Sequence, residues 1–437
     1  QILFASRFAV DTFLVISGYL VVRVLCKIPM SIPTTAAKPV WFILTYCKTI
    51  PALLLSRIMR ILPVYAVTLG FFILVAPHLG GGPFWYQWQA LLLPCVKYGW
   101  TNLLFVNNFF PVDLPTTETC FYHSWYLAVD VQLFILAPLL VFCYRQSQQR
   151  GVFLTALLTL TSIAFTIYLT YTRKWSMNTY DGAAVVRFDK EAYAKPHIRA
   201  QSYLMGMLLA MCLPQTRRSI TSWKQKMAMA LVLITLFTLT FITATGAYSR
   251  RACEVHETPF TRDASCGSTW SPQTTFLYTA TARSLWSLSV AVLLGLCLNG
   301  HGGIIGNILD WQIWLPLSHL TFGAYLIHPM VIFVRQLADT QKEDFSVYGT
   351  LMNYISVSVI SFAASLALAL LVEMPSAYLM KVFMSRDALT RSSEEVSTPE
   401  YGQMNEDGVD RQSLPLLEKE RDGNMDIKKI EQQYGST

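Results

Sequence analysis

The stretch Phe8-Ala-Val-Asp11-Thr-Phe-Leu-Val-Ile-Ser17-Gly18-Tyr19-Leu-Val-Val-Arg23-Val-Leu-Cys26, residues 8–26, decides the class of fold. It is apolar over nearly its whole length and long enough to cross a bilayer as a helix. Yet it carries Asp11 near one end and Arg23 near the other. An ionised side chain inside the bilayer costs on the order of 2.5–3.5 kcal/mol even on lenient insertion scales. Such residues persist where they face a bundle interior, a polar cavity or the interface. The stretch therefore predicts an all-α, polytopic transmembrane helix bundle with polar groups at work between its helices.

Composition agrees. Of 437 residues 53% are hydrophobic and only 14% charged, against about 25% charged in soluble domains. The charge is unevenly spread. Residues 385–437 hold 12 of the 27 acids and 7 of the 34 bases, which leaves 27 bases against 15 acids in residues 1–384. The distal segment is polar, poor in aromatics and without apolar periodicity, so 385–437 is expected to be a disordered cytoplasmic tail behind a membrane domain at 1–384.

Apolar windows of near-spanning length fall at 8–26, 61–78, 126–143, 152–171, 197–213, 227–247, 277–299, 313–335 and 349–372, about nine spans. The window at 197–213 is short and includes Arg199. Segment 40–57 is interrupted by Lys48 and Pro51 and is expected to lie along the cytoplasmic interface. Segment 84–110, rich in Trp and Tyr, is expected at the outer interface.

Lys and Arg in short connections set orientation. Segments 27–60, 144–151 and 214–226 carry bases and no acid, and are read as cytoplasmic. The connections 79–125, 172–196, 248–276 and 336–348 mix both signs and are read as lumenal or external. Four of nine cysteines fall there, Cys95 with Cys120 and Cys253 with Cys266. Disulfides form in oxidising compartments and an even count per segment is what a disulfide framework predicts, so both pairs are expected to be bridged.

Three motifs carry candidate chemistry. In Ser56-Arg57-Ile-Met-Arg60-Ile-Leu-Pro63-Val-Tyr65 two arginines at i, i+3 share a helix face. They serve either as positive-inside anchors snorkelling to headgroups or as a fork for an anionic cytosolic ligand, which guanidinium matches bidentately. In His123-Ser-Trp125-Tyr126-Leu-Ala-Val-Asp130-Val-Gln132-Leu-Phe134, the residues His123, Tyr126 and Asp130 recur on one face. A histidine stacked over a carboxylate is either a base with its orienter or an interfacial histidine above a paired aspartate. In Phe322-Gly-Ala-Tyr325-Leu-Ile-His328-Pro329, His328 falls about 10 Å inside its span at 1.5 Å per residue. An ionisable group at such depth is a functional candidate. By the assigned topology Asp11, His123, Asp130 and His328 share the outer half, while Arg57, Arg60 and Arg23 lie at the inner edge.

Together these motifs resemble the acyltransferase type 3 family of membrane O-acyltransferases, and within it the animal branch called nose resistant to fluoxetine. Asp11-Thr-Phe-Leu-Val-Ile-Ser17-Gly18-Tyr19 is similar to the family's Phe-Phe-Val-Ile-Ser-Gly-Phe element. Arg57, Arg60, Pro63 and Tyr65 match its Arg-x-x-Arg-x-x-Pro-x-Tyr. His123 to Phe134 resembles its His-x-Trp-Ser-Leu-x-Val-Glu-Glu-Gln-Phe, with Asp130 and Val131 in place of the two glutamates. Tyr325 to Pro329 and Glu373 to Pro375 match two further elements. The resemblance implies transfer of an acyl group from cytosolic acyl-CoA to a hydroxyl of a lipid, sugar or small-molecule acceptor. Acyl-CoA would be a co-substrate, and no tightly bound cofactor or metal is implied.

In that reading Arg57, Arg60 and Tyr65 hold the CoA moiety, and His123, Asp130, His328 and Asp11 form the catalytic set. A second function stays open: a non-catalytic transporter of lipids or hydrophobic small molecules on the same scaffold. The expected surroundings are membrane lipids of the secretory pathway, plasma membrane or ER, with no nucleic-acid partner. The chain opens directly into a span without an initiator Met and is expected to lack the family's first helix.

Overall fold

In the computed structural model the described residues are 8–27, 38–111, 119–177, 183–213, 222–246, 270–339, 346–380 and 382. The chain divides into two units, Gln1–Lys381 and Val382–Thr437. The second lies, apart from Val382, outside the described residues, and so does the tail expected at 385–437. Among the described residues every regular element is a helix.

Twelve α-helices follow in order: α1 (Ala9–Lys27), α2 (Lys38–Leu74), α3 (Gln87–Leu103), α4 (Trp125–Gln146), α5 (Gln148–Arg173), α6 (Ala183–Phe188), α7 (Pro196–Cys212), α8 (Ser222–Gly246), α9 (Pro272–Leu298), α10 (Gly303–Leu309), α11 (Trp314–Ala338) and α12 (Val347–Leu368). Seven among the described residues are long and apolar enough to span: α1, α2 from Ile50, α4 with its leading turn, α5, α9, α11 and α12 with its continuation to Met380. The expected nine is thus corrected to seven. The window at 197–213 became α7, a 17-residue helix, and 17 residues rise only about 25 Å against a hydrocarbon core of about 30 Å. The window at 227–247 falls in α8, whose side chains are described only in part.

Segment 40–57, expected along the cytoplasmic interface, is helical and runs on without a break as part of α2, with Pro51 and Pro63 inside the helix; its part from Ile50 belongs to a stretch long and apolar enough to span. In a bundle, neighbouring helices re-satisfy backbone groups that a proline leaves free, so such positions are tolerated. Arg57 consequently lies within the spanning stretch Ile50–His78 rather than at its mouth.

The bundle is organised around α4. Two thirds of its most apolar window is buried, more than in any other spanning helix found here. One core joins α4 to α1 and α7 through Leu14, Val22, Val129, Leu133, Tyr203 and Met207. A second joins α4 to α2, α3 and α11 through Tyr65, Phe72, Trp88, Leu127, Val131 and Leu326. Helices α1 and α7 approach at two glycines. A Cβ added at Gly18 would sit 2.0 Å from the Tyr203 carbonyl oxygen, and one at Gly206 would sit 1.9 Å from that of Val15. Small residues at a crossing let backbones touch, which is how membrane helices gain packing without a hydrophobic drive between them.

Candidate functional site

Helix α4 presents two polar sites, one at its N-terminal turn and one about two turns deeper. The deeper site is built on Asp130, which is 5% exposed. Arg57 of α2 forms an ion pair with it through Nη2 and Oδ2. Ser17 of α1 donates to its other oxygen at 2.6 Å and accepts from Arg57 Nη2 at 3.3 Å. The guanidinium carbon of Arg57 lies 4.6 Å from the centre of the Phe134 ring, a cation–π contact. Among the described residues, Arg57 Nε and the Tyr203 hydroxyl are buried here without a hydrogen-bond partner. Tyr203 is within electrostatic reach of both Arg57 and Asp130. One turn along α2 from Arg57, Arg60 is exposed.

The shallower site is built on His123. Its backbone belongs to a short 3-10 turn, Tyr122–Ser124, that leads directly into α4. The turn is entered through Phe121 at φ 47°, a left-handed conformation for a bulky residue, which costs of order 1–3 kcal/mol and persists only where surroundings over-determine it. They do so here. The Ser124 hydroxyl donates to the Phe121 carbonyl at 2.7 Å. It accepts from Tyr65 at 2.8 Å, Asn107 at 2.9 Å and Asn102 at 3.3 Å. Asn102 also donates to the Cys120 carbonyl at 3.0 Å. Cys120 is disulfide-bonded to Cys95 of α3, and the Tyr325 hydroxyl donates to the His123 carbonyl. The turn is therefore fixed by α2, α3, the segment after it and α11 together.

His328 of α11 faces His123, their ring centres 5.8 Å apart, with Tyr325 5.4 Å from the His123 ring. Its tautomer follows from the next residue. Pro329 has no backbone N–H, so the Tyr325 carbonyl loses its helical donor. His328 Nδ1 takes that place at 2.8 Å from the Tyr325 oxygen. A carbonyl only accepts, so Nδ1 carries the proton and the lone pair is left on Nε2.

Asp11 stands apart from both sites. It and Arg199 of α7 are fully buried, with Arg199 Nη1 2.7 Å from Asp11 Oδ2. Ser202 donates to the other Asp11 oxygen at 2.9 Å, and Ser287 of α9 donates to Ser202 at 2.8 Å. The rings of Trp125 and Tyr193 cover the guanidinium at 4.8 and 5.0 Å. This arrangement ties α1, α7 and α9 together.

The structure thus regroups the residues named from sequence. His123 and His328 meet. Asp130 is bonded to Arg57 and Ser17, and Asp11 to Arg199 and Ser202; among the described residues neither carboxylate is hydrogen-bonded to a histidine. Tyr65 is 1% exposed, with its hydroxyl on Ser124. The Cys95–Cys120 bridge is present, whereas Cys253 and Cys266 lie outside the described residues. Ser17, Ser124, Asn102, Asn107 and Tyr203 were not singled out from sequence. No sequence signal marked them; for Arg199, the partner of Asp11, the signal was two opposite charges in two apolar windows.

The family model described as an acyltransferase domain matches residues 1–374. The chain is 28% identical over 391 residues to nose resistant to fluoxetine protein 6 of Caenorhabditis elegans, covering 84% of this chain and 44% of that protein. It is 22% identical over 299 residues to regulator of hypoxia-inducible factor 1 of the same organism, covering 63% of this chain and 54% of that protein. The chain spans about half the length of the curated relatives it matches. No solved structure matches it.

Proposed function

Because the chain belongs to the acyltransferase domain family, we propose that it transfers an acyl group from acyl-CoA to a hydroxyl of an acceptor within the membrane. The observation that carries this reading is the unspent polar capacity at the Arg57 site. A buried guanidinium N–H and the Tyr203 hydroxyl lack partners beside an ion pair that is otherwise complete. Buried donors are normally satisfied, and the one left over here, a turn from exposed Arg60, leaves capacity for an anionic ligand. A phosphate-bearing ligand supplies acceptor oxygens for Arg57 Nε and places further charge by exposed Arg60.

The rest of the reaction falls to the imidazole pair. One imidazole accepts the acceptor's hydroxyl proton as that oxygen attacks the thioester, which is general-base work suited to a neutral ring with a free lone pair. The Cys95–Cys120 bridge supports an oxidising compartment on the His123 side. His123, in the turn that leads into α4, precedes Asp130 of α4 by seven residues, about 10 Å of rise. A thioester reaching from the Arg57 site toward the histidines therefore has to cross only part of the membrane.

Arg60→Ala is the discriminating variant, because Arg60 is exposed and makes no ion pair among the described residues. Acyl-CoA binding to the purified protein in nanodiscs should weaken about tenfold with unchanged thermal stability, the cost of one charge-assisted contact. Unchanged affinity would overturn the assignment of the donor site.

A second reading, carriage of a hydrophobic compound without chemistry, draws on the apolar cavity described below. It separates cleanly. His328→Gln should abolish ester formation if transfer is the function, and should leave ligand movement unaltered if carriage is.

A further inference from the structure

Between α2, α3, α11 and the turn before α4 lies a cavity of about 440 Å³, within the range of small-molecule sites. Its walls are apolar: Phe72, Leu91, Phe121, Met330 and Phe333 among them. Thr119, Tyr122 and His123 are its three lining residues with polar side chains. His123 is the one with an unmet need. Among the described residues its Nε2 is buried without a hydrogen-bond partner, while the ring has a backbone partner at Leu326. Asp130 and Arg57 do not line this cavity, so no charge is offered to its occupant.

We infer that this cavity is the acceptor site and that it takes an apolar alcohol, a long hydrocarbon or ring body with a single hydroxyl, and not a sugar; the inference rests on the acyl-transfer reading above. A sugar brings several hydroxyls, more than Thr119, Tyr122 and His123 can partner, and each one left against the Phe, Leu and Met walls gives up water with nothing in return. An apolar body packs against those walls, and its one O–H finds the one orphaned acceptor, His123 Nε2. His123 is thereby the imidazole of the pair that touches the acceptor. The alcohol oxygen bonds to the thioester carbonyl carbon and its proton passes to His123 Nε2. The carbon–sulfur bond breaks with the electron pair leaving on sulfur. The proton returns to that thiolate, giving an ester and free CoA thiol.

The test uses the full chain in detergent micelles and a hexadecanol carrying a diazirine, with cross-linked peptides mapped by mass spectrometry. Labelling is expected within 119–123 or 329–333. Excess hexadecanol should compete, and glucose should not. Met330→Trp, which fills the cavity, should cut labelling about fivefold or more, since a packed cavity has no room for both side chain and ligand. Phe333→Trp makes the same test if Met330→Trp does not elute as a monodisperse species.

His123→Phe keeps an aromatic wall but should erase the preference for the alcohol probe over the matching alkane diazirine. Equal competition by glucose, or full labelling of a folded Trp variant, would overturn the inference. Ester formation from acyl-CoA is scored separately. Saturable alcohol labelling without ester supports the site and overturns the transfer reading. Ester on glucose but not on hexadecanol supports transfer and overturns the apolar acceptor.

Discussion

Tyr65 on α2 donates its hydroxyl to Ser124, the residue that follows His123, across 2.8 Å. Two motifs that are 59 residues apart are thus one structure. The tyrosine that closes the Arg-x-x-Arg-x-x-Pro-x-Tyr element stands behind the histidine turn, and its ring packs near Phe105 and Phe121. A change at Tyr65 therefore reaches the His123 turn through Ser124.

Tyr65→Phe removes one buried hydrogen bond and should cost about 0.5–1.5 kcal/mol. Ser124→Ala leaves Tyr65, Asn107 and Asn102 donors without their shared acceptor and should cost more, about 1–3 kcal/mol. Thermal unfolding in detergent reads both. Transfer should fall in each while acyl-CoA affinity holds. Loss of acyl-CoA binding in Tyr65→Phe would show that Tyr65 contacts the donor after all.

Pro329→Ala tests the origin of the His328 tautomer. The alanine restores a backbone N–H that competes for the Tyr325 carbonyl now held by His328 Nδ1. The helix should be as stable or more so, because proline in a helix interior is costly. Transfer should drop, because the lone pair is no longer confined to Nε2. Full activity with a stabilised fold would remove the tautomer argument.

The Asp11–Arg199 pair is fully buried, so losing either partner leaves an unpaired charge at a cost of about 3–5 kcal/mol. Arg199→Leu and Asp11→Leu should each lower the yield of folded protein sharply. The double variant should recover part of that loss, since replacing both charges removes the stranded one. Additive single losses in the double variant would argue against direct coupling.

Cys95→Ser with Cys120→Ser releases a bridge of sequence separation 25 that anchors the His123 turn to α3. The expected loss is about 2–4 kcal/mol. Reductant should lower the melting temperature of the wild type by more than that of the double serine variant, which keeps the Cys253–Cys266 pair expected from sequence. If reductant shifts both alike, the effect lies elsewhere.

Sequence periodicity reported reliably on matters local to one element. The run at 8–26 became α1, and the apolar windows at 61–78, 126–143, 152–171, 277–299, 313–335 and 349–372 lie within or across spanning helices. The even cysteine count in one connection corresponds to a real bridge. Length misjudged α7, because an apolar average over 197–213 does not reveal that Arg199 is buried against another helix rather than against lipid. The proline at 51 was read as a break, but inside a bundle it sits in a continuous helix.

What the sequence alone determined is therefore the class of fold and the inventory of unusual residues, because both follow from spacing along one chain: hydrophobic runs, a histidine before a proline, arginines at i, i+3. What only the tertiary structure decided is which of those residues are partners. Helical spacing puts Asp130 and His123 on one face, yet Asp130 belongs to Arg57 and Ser17, and His123, in the turn ahead of α4, meets His328. Asp11 finds Arg199 across 188 residues of sequence. Helical periodicity fixes the direction of a side chain about its own axis, while the neighbour it meets depends on how distant helices are packed and rotated against one another, and close approaches such as Gly18 on Gly206 set that packing.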